Sequence, residues 1–411
     1  MKRFPSYERR ATNDAQVYSS VTAVVGESVT GAAGQDGIEQ ELHRWPAGSS
    51  AHCRILYLVG QLGHGGLERQ LYYLILAMNR ERYAPAVVVW NYREDELYAQ
   101  QLRSLRVPLF SVGSGSRYKK LLRLRGLVKA LKPEVLHSYS FYTNFAAWWC
   151  TRRSQTTPLG SIRNNFFSDR RLAGRVLGRL CARWPADQIC NSLCAKAAVE
   201  ESSGPFKPAR LRVVTNRLDV ASFKVVGSLP DKTMLLAVGR LFPEKRWDRL
   251  LEAMALLKKR GRSFSVRLVG NGPLRQALES QAKRVGVAHL IEFLGIRHDV
   301  PSLLADSTFL VHTADEEGCP NVVMEAMACG RAVVATDAGD VPCLVDDGRT
   351  GFIVKRGDNR MLEERLAALI EDRDLCRRMG QAGRTKAEEE FGLCKLMDQT
   401  FQAYRAAGWK G

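Results

Sequence analysis

"CRILYLVGQLGHGGLERQLYYLILAMN" occupies positions 53–79. It opens with a short apolar run, broken only by Arg54, that stops at Gly60. Such a run reads as a strand buried on both faces. Gly63, Gly65 and Gly66 follow, and glycine lets the backbone turn tightly. From 67 to 79 the apolar residues take up a helical period. Strand, glycine turn and helix form the repeating unit of a parallel sheet covered by helices.

The unit recurs along the chain. Further strands are expected at 84–90, 107–112, 133–138, 158–162, 186–191 and 211–215, with helical stretches between them. The segment 216–231, "NRLDVASFKVVGSLPD", breaks the rhythm with polar and turn residues. The alternation restarts with strands at 233–239, 264–270, 290–294, 308–312 and 332–336, and helices at 247–260 and 273–285. The chain therefore reads as α/β, with two Rossmann-like, doubly wound domains facing a central cleft. Residues 1–51 form a loosely ordered leader, 52–215 the first domain, 216–231 a linker and 232–392 the second domain. Ligands of such sheets sit beyond the carboxyl ends of the strands.

Composition agrees with a large globular core: 411 residues, 45% hydrophobic and 25% charged. The ten cysteines include no CxxC pair, which points to reduced thiols in a reducing compartment rather than to zinc. No run of 18 apolar residues exists to span a bilayer. Lys2 and Arg3 have no apolar stretch behind them, so no secretory signal is expected. The expectation is a cytoplasmic protein. Of the +18 net charge, residues 51–215 hold +16, from 26 basic and 10 acidic side chains. A domain that positive seeks phosphate-bearing partners.

Three strand ends carry candidate chemistry. In "VGRLFPEKRWD" (238–248), Arg240 and Lys245 follow a strand. Two cations there can clamp a diphosphate, although alone they read equally well as solvated charges. In "VGNGPL" (269–274), Gly270 and Gly272 permit a tight turn before a helix opened by Pro273. In "EEGCPNVVMEAMACGRAVVAT" (316–336), Glu317 precedes a helix starting near Asn321, and Glu325 lies on that helix. A helix N-terminus with free N–H groups suits a phosphate, and carboxylates accept from hydroxyls. Glu325 is otherwise surrounded by apolar residues and has no basic neighbour within four positions. It needs a partner from elsewhere in the fold.

Glu317, seven residues and then Glu325 resembles the EX7E motif of family-4 retaining glycosyltransferases, which have the GT-B fold. "GRLFPEK", "VGNGPL", the 316–340 block and "FGLCKLMDQTFQAYR" resemble further blocks of that family in the same order, and the likeness covers about 52–411. The resemblance implies that Arg240 and Lys245 neutralise a donor diphosphate. It implies that Glu317 bonds the donor sugar and Glu325 the nucleotide ribose. N–H groups of Gly318, Cys319, Asn321 and Val322, on either side of Pro320, would cradle phosphate, with Gly270 beside them. Gly65 and Gly66 would give the donor room. His137, in "VLHSYS", would stand near the transferred sugar, with Tyr139 where the family often has a second histidine. Arg217 replaces a glycine of the family's hinge. Residues 393–411 would form a helix packed back on the first domain. A nucleoside-diphosphate sugar is the implied substrate, with no cofactor and no metal, and the anomeric configuration is retained. The implied acceptor is a glycan or a lipid-linked saccharide of cell-surface polysaccharide synthesis.

The basic domain adds a second expectation. Arg171, Arg175, Arg179 and Arg183 recur every four residues in "DRRLAGRVLGRLCARW" (169–184), as one cationic stripe on one helix. "RYKKLLRLRGLVKALK" (117–132) is a second basic amphipathic stretch. Such helices can lie on anionic headgroups, so a peripheral position on the inner face of the membrane is expected, with no nucleic-acid partner. Three rivals stay open. One is a nucleotide-dependent oxidoreductase, which the absence of G-x-G-x-x-G in "GQLGHGG" disfavours. Another is a non-catalytic basic membrane- or nucleic-acid-binding protein on a degenerate transferase scaffold. The third is a phosphorylase-type enzyme or a nucleotide-sugar epimerase of the same fold.

Overall fold

The computed structural model describes residues 53–63, 65–225 and 228–411; the leader expected at 1–51 lies outside the described residues. The first sheet has seven parallel strands: β1 (Cys53–Val59), β2 (Tyr83–Val89), β3 (Leu109–Ser111), β4 (Val135–Ser138), β5 (Thr157–Ile162), β6 (Asp187–Cys190) and β7 (Arg210–Val213). Their spatial order is β3-β2-β1-β4-β5-β6-β7. Helices α1 (Gly66–Leu76), α2 (Leu97–Ser104), α3 (Arg117–Leu131), α4 (Asn144–Thr151), α5 (Phe166–Leu172), α6 (Arg175–Arg183) and α7 (Leu193–Glu201) connect them. Parallel strands need such crossovers, and the helices bury both sheet faces.

The second sheet has six parallel strands: β8 (Met234–Val238), β9 (Ser265–Val269), β10 (Ile291–Gly295), β11 (Phe309–His312), β12 (Ala332–Thr336) and β13 (Gly351–Val354), in the order β10-β9-β8-β11-β12-β13. Its helices are α8 (Trp247–Lys259), α9 (Arg275–Arg284), α10 (Val300–Ala305), α11 (Asn321–Ala328), α12 (Val341–Leu344), α13 (Asn359–Glu371) and α14 (Arg373–Glu390). Each sheet reverses its winding beside its first strand, between β1 and β4 and between β8 and β11. Such switch points open a crevice at the carboxyl ends. The crevices hold the segments 60–63 and 139–143 on one side, and 239–246 and 313–320 on the other.

The chain leaves the first sheet after β7 and returns to it in α15 (Leu393–Ala406). The two crossings run side by side: Leu218 pairs in parallel with Gly392, and its N–H donates to the Phe391 carbonyl at 2.9 Å. Leu396, Phe401, Tyr404 and Trp409 then fill one core with Ile55, Tyr57 and Val87 of the first sheet and Leu71 of α1.

Two expectations change. β13 was not anticipated, because four residues carry too little pattern; Gly351 lets it lie against β12, where a Cβ would sit 2.3 Å from the Val333 carbonyl oxygen. The arginine stripe is not one helix. Ala173 and Gly174 interrupt it, Gly174 at φ 90° in the left-handed region. Arg171 ends α5, while Arg175, Arg179 and Arg183 belong to α6. Gly178 permits the close packing of the pair, since a Cβ there would meet the Arg170 carbonyl oxygen at 2.1 Å.

Candidate active site

The glycine loop after β1 brings the two halves together. A Cβ on Gly66 would stand 2.7 Å from Asn321 Nδ2, at the start of α11. One on Gly65 would strike the Glu68 carboxylate. These glycines thus admit Asn321 and Glu68, a tighter use than open room for a ligand. Asn321 Oδ1 accepts from Gln70 at 3.3 Å and from Asn216 at 2.9 Å. Gln70 also exchanges two hydrogen bonds with the Arg217 backbone, at 2.7 and 2.9 Å. Asp340 crosses the cleft too: its carboxylate accepts from the Leu193 and Cys194 N–H groups, at 2.9 and 3.0 Å, and so caps α7.

Glu325 finds the partner its surroundings demand. It is 1% exposed, and its carboxylate is ion-paired with Arg69 of α1. The pair links α11 of one sheet to the glycine-loop helix of the other. Neighbouring Glu68 is buried, and burial pushes its carboxyl up to about 7, with the Glu96 charge adding to the shift.

Lys245 and Glu317 form the second cluster. Lys245 Nζ contacts Glu317 Oε1, and His312 Nε2 lies 2.9 Å from the same oxygen. Glu317 is strongly desolvated, but the Lys245 charge and the His312 contact outweigh that and hold its carboxyl at about 2. Thr313 Oγ1 fixes the Lys245 loop by donating to the carbonyls of Lys245 and Arg246, at 2.9 and 3.1 Å. Gly318 is held from below: its carbonyl accepts from Asp340 N–H at 2.8 Å, and Gly339, at φ 57°, packs where a Cβ would overlap it. Gly270 serves a related purpose, with a Cβ site only 1.9 Å from the Gly239 carbonyl oxygen.

Not every expected residue joins these clusters. Arg240 is exposed, stacks on Phe242 at 4.8 Å and pairs with Glu244 at 3.1 Å. The Cys319 side chain is buried, and burial lifts its thiol to about 12; only its carbonyl is used, accepting from Asn216 at 2.9 Å. Pro320 is buried as the residue before α11, and Val322 is half-buried in its first turn.

His137 is the clear correction. It is wholly buried at β4, with Nδ1 2.9 Å from Tyr404 Oη and Nε2 2.9 Å from Ser161 Oγ. Both ring nitrogens are occupied, and burial, with Arg163 nearby, drives its pKa well below the usual histidine value. The ring ties α15 to the first sheet and does not face the cleft. The residues that the sequence reading missed are Arg69, Gln70, His312 and Asp340. Only Arg69 had a signal, through the unpaired acid at Glu325.

Two family descriptions match the chain: Glycosyltransferase Family 4 over residues 64–222 and Glycosyl transferases group 1 over 221–386. A putative glycosyltransferase, EpsD of Bacillus subtilis, is 28% identical over 44% of this chain and 47% of its own. An uncharacterized glycosyltransferase of Haemophilus influenzae is 27% identical over 60% and 66%, respectively. The matches therefore span from about half to just under two thirds of these relatives. Among solved structures, Anabaena HepE in complex with UDP-glucose superposes with a TM-score of 0.73 at 19% identity, covering 86% of this chain and 100% of that one. The apo lipopolysaccharide outer core galactosyltransferase WaaB gives 0.66 at 15%, covering 86% and 99%. At these identities the likeness is one of fold.

Proposed function

The chain belongs to the family-4, group 1 glycosyltransferases, and on that premise we propose that it transfers a hexose, with retention, from a nucleoside-diphosphate sugar to a glycan or lipid-linked acceptor in cell-surface polysaccharide synthesis. The observation that carries this reading is the Lys245–Glu317–His312 cluster at the carboxyl ends of β8 and β11, set beside the N-terminus of α11. Without donor, Lys245 and Glu317 neutralise each other. An incoming diphosphate competes for Lys245, and the released carboxylate turns to the sugar hydroxyls. His312 keeps Glu317 ionised and in place during that exchange. Arg240, exposed at the rim, swings in as the second cation.

In the transfer, the bond from the anomeric carbon to the β-phosphate oxygen breaks, and its electron pair leaves with the phosphate. Lys245, Arg240 and the α11 amides stabilise the growing charge. The acceptor oxygen bonds to the same face of the anomeric carbon and gives its proton to the departing phosphate. Glu325, set by Arg69, holds the ribose.

The basic half supports a peripheral position on an anionic membrane surface. Phe167, Leu172 and Val176 are 51, 83 and 71% exposed around the α5–α6 corner, among Arg171, Arg175 and Arg179. Apolar side chains projecting from a cationic rim suit a headgroup boundary. No helix among the described residues is long and apolar enough to cross a membrane.

A panel of nucleotide sugars, read by thermal shift and by release of nucleoside diphosphate, tests the donor. The expected result is stabilisation and turnover with one of them, both lost in Lys245→Met. Turnover unaffected in Lys245→Met would refute the site.

A further inference from the structure

Three adjacent strands of the first sheet end in buried polar side chains with unpartnered atoms. These are Arg163 Nε and Nη1 after β5 and Asn191 Oδ1 after β6, with Tyr139 Oη after β4, whose one neighbouring donor is the same guanidinium at a poor angle. Tyr139 is fully buried, Arg163 is 7% exposed and Asn191 6%. The Arg163 guanidinium lies 4.3 Å from the centre of the Tyr139 ring, and no carboxylate among the described residues pairs with it. A buried guanidinium without an anion is destabilising. It persists where a ligand supplies the missing charge.

The cluster opens on the donor loop. A Cβ built on Gly318 would lie 3.4 Å from Asn191 Oδ1 and 3.6 Å from the Arg163 carbonyl oxygen. Glu317 is the next residue. The planar guanidinium and the phenol donate, in a fork suited to phosphate. Asn191 Oδ1 accepts, which suits a hydroxyl beside that phosphate.

The geometry points to a phosphoryl-binding position built by Arg163, Tyr139 and Asn191, for a ligand carrying a hydroxyl next to its phosphate. Two sources fit this chemistry: a phosphate on the acceptor, next to the oxygen that receives the sugar, or the donor's own diphosphate. The first deepens the transferase reading and rests on it. The second places an N-terminal-half cation opposite Lys245.

The test titrates inorganic phosphate onto the full chain by calorimetry, with and without saturating UDP, in the wild type, Arg163→Met and Tyr139→Phe. Wild type is expected to bind phosphate with UDP present. Arg163→Met is expected to weaken that binding roughly tenfold or more, to keep UDP binding, and to melt no lower than wild type without ligand. Tyr139→Phe removes one hydroxyl, so it keeps the fold and weakens phosphate less. If UDP instead abolishes phosphate binding, and Arg163→Met weakens UDP as it weakens phosphate, the position serves the donor's diphosphate. A wild type that binds phosphate but not UDP means that the donor carries another base, and its phosphate binding still supports this position. A wild type that binds no phosphate, or an Arg163→Met that binds phosphate and UDP unchanged, overturns the proposal; a lower melting point with unchanged binding marks Arg163 as structural.

Discussion

At the residue scale the site is a set of charges held before any substrate arrives. Lys245 lies against Glu317, with His312 on the same oxygen. On the proposed mechanism Lys245 stabilises the leaving group, so Lys245→Met should lower turnover roughly 10²–10³-fold, by analogy with the loss of an oxyanion-hole donor. The readout is nucleoside-diphosphate release. Glu68 offers a cleaner pH signature. Its carboxyl titrates at about 7 in the folded chain, because burial disfavours the charge. A raised acid contributes its full stability below the unfolded value and loses it as pH rises through the folded one. Glu68→Gln should therefore stabilise the protein at pH 8 by about 1–3 kcal/mol. That gain should vanish near pH 4, as followed by urea unfolding.

At the scale of elements, α1 and α11 are locked by Arg69 and Glu325, whose side chains are 27 and 2% exposed. Arg69→Met strands a buried carboxylate and should lose about 3 kcal/mol of unfolding free energy. The double replacement with Glu325→Met should recover most of that, since an apolar pair of similar volume can replace a buried ion pair. Denaturant curves on the two variants decide it. The strands feeding these helices were legible because parallel strands buried on both faces are unbroken apolar runs, as at Ile55–Val59 and Phe309–Val311. Glu317, Lys245 and the glycines were legible because each sits at the end of such a run. Arg69, Gln70 and Asp340 were not. Their function arises from contacts between elements far apart in sequence, and a local pattern records only that Glu325 lacks a neighbour. His137 misled for the complementary reason: a histidine at a strand end looks the same whether the loop or α15 covers it.

At the scale of the whole molecule the charge is segregated, with +16 in residues 51–215, and the α5–α6 corner projects apolar side chains through it. Binding to vesicles containing anionic lipid should weaken with added salt. It should fall roughly tenfold or more when Arg175 and Arg179 become Glu, at about 1 kcal/mol per charge near the surface. Sedimentation with vesicles measures both effects, and indifference to either removes the membrane from the account. The arrangement of the ends has its own reach. Tyr404 meets His137, and Phe401 and Trp409 pack about Tyr83, so the first sheet is sealed by a helix that follows both sheets in the chain. During translation, the ribosome has released every strand of that sheet long before its stopper emerges. A nascent chain of this protein must wait, with one face unsealed, until the whole second sheet and α15 have also been made.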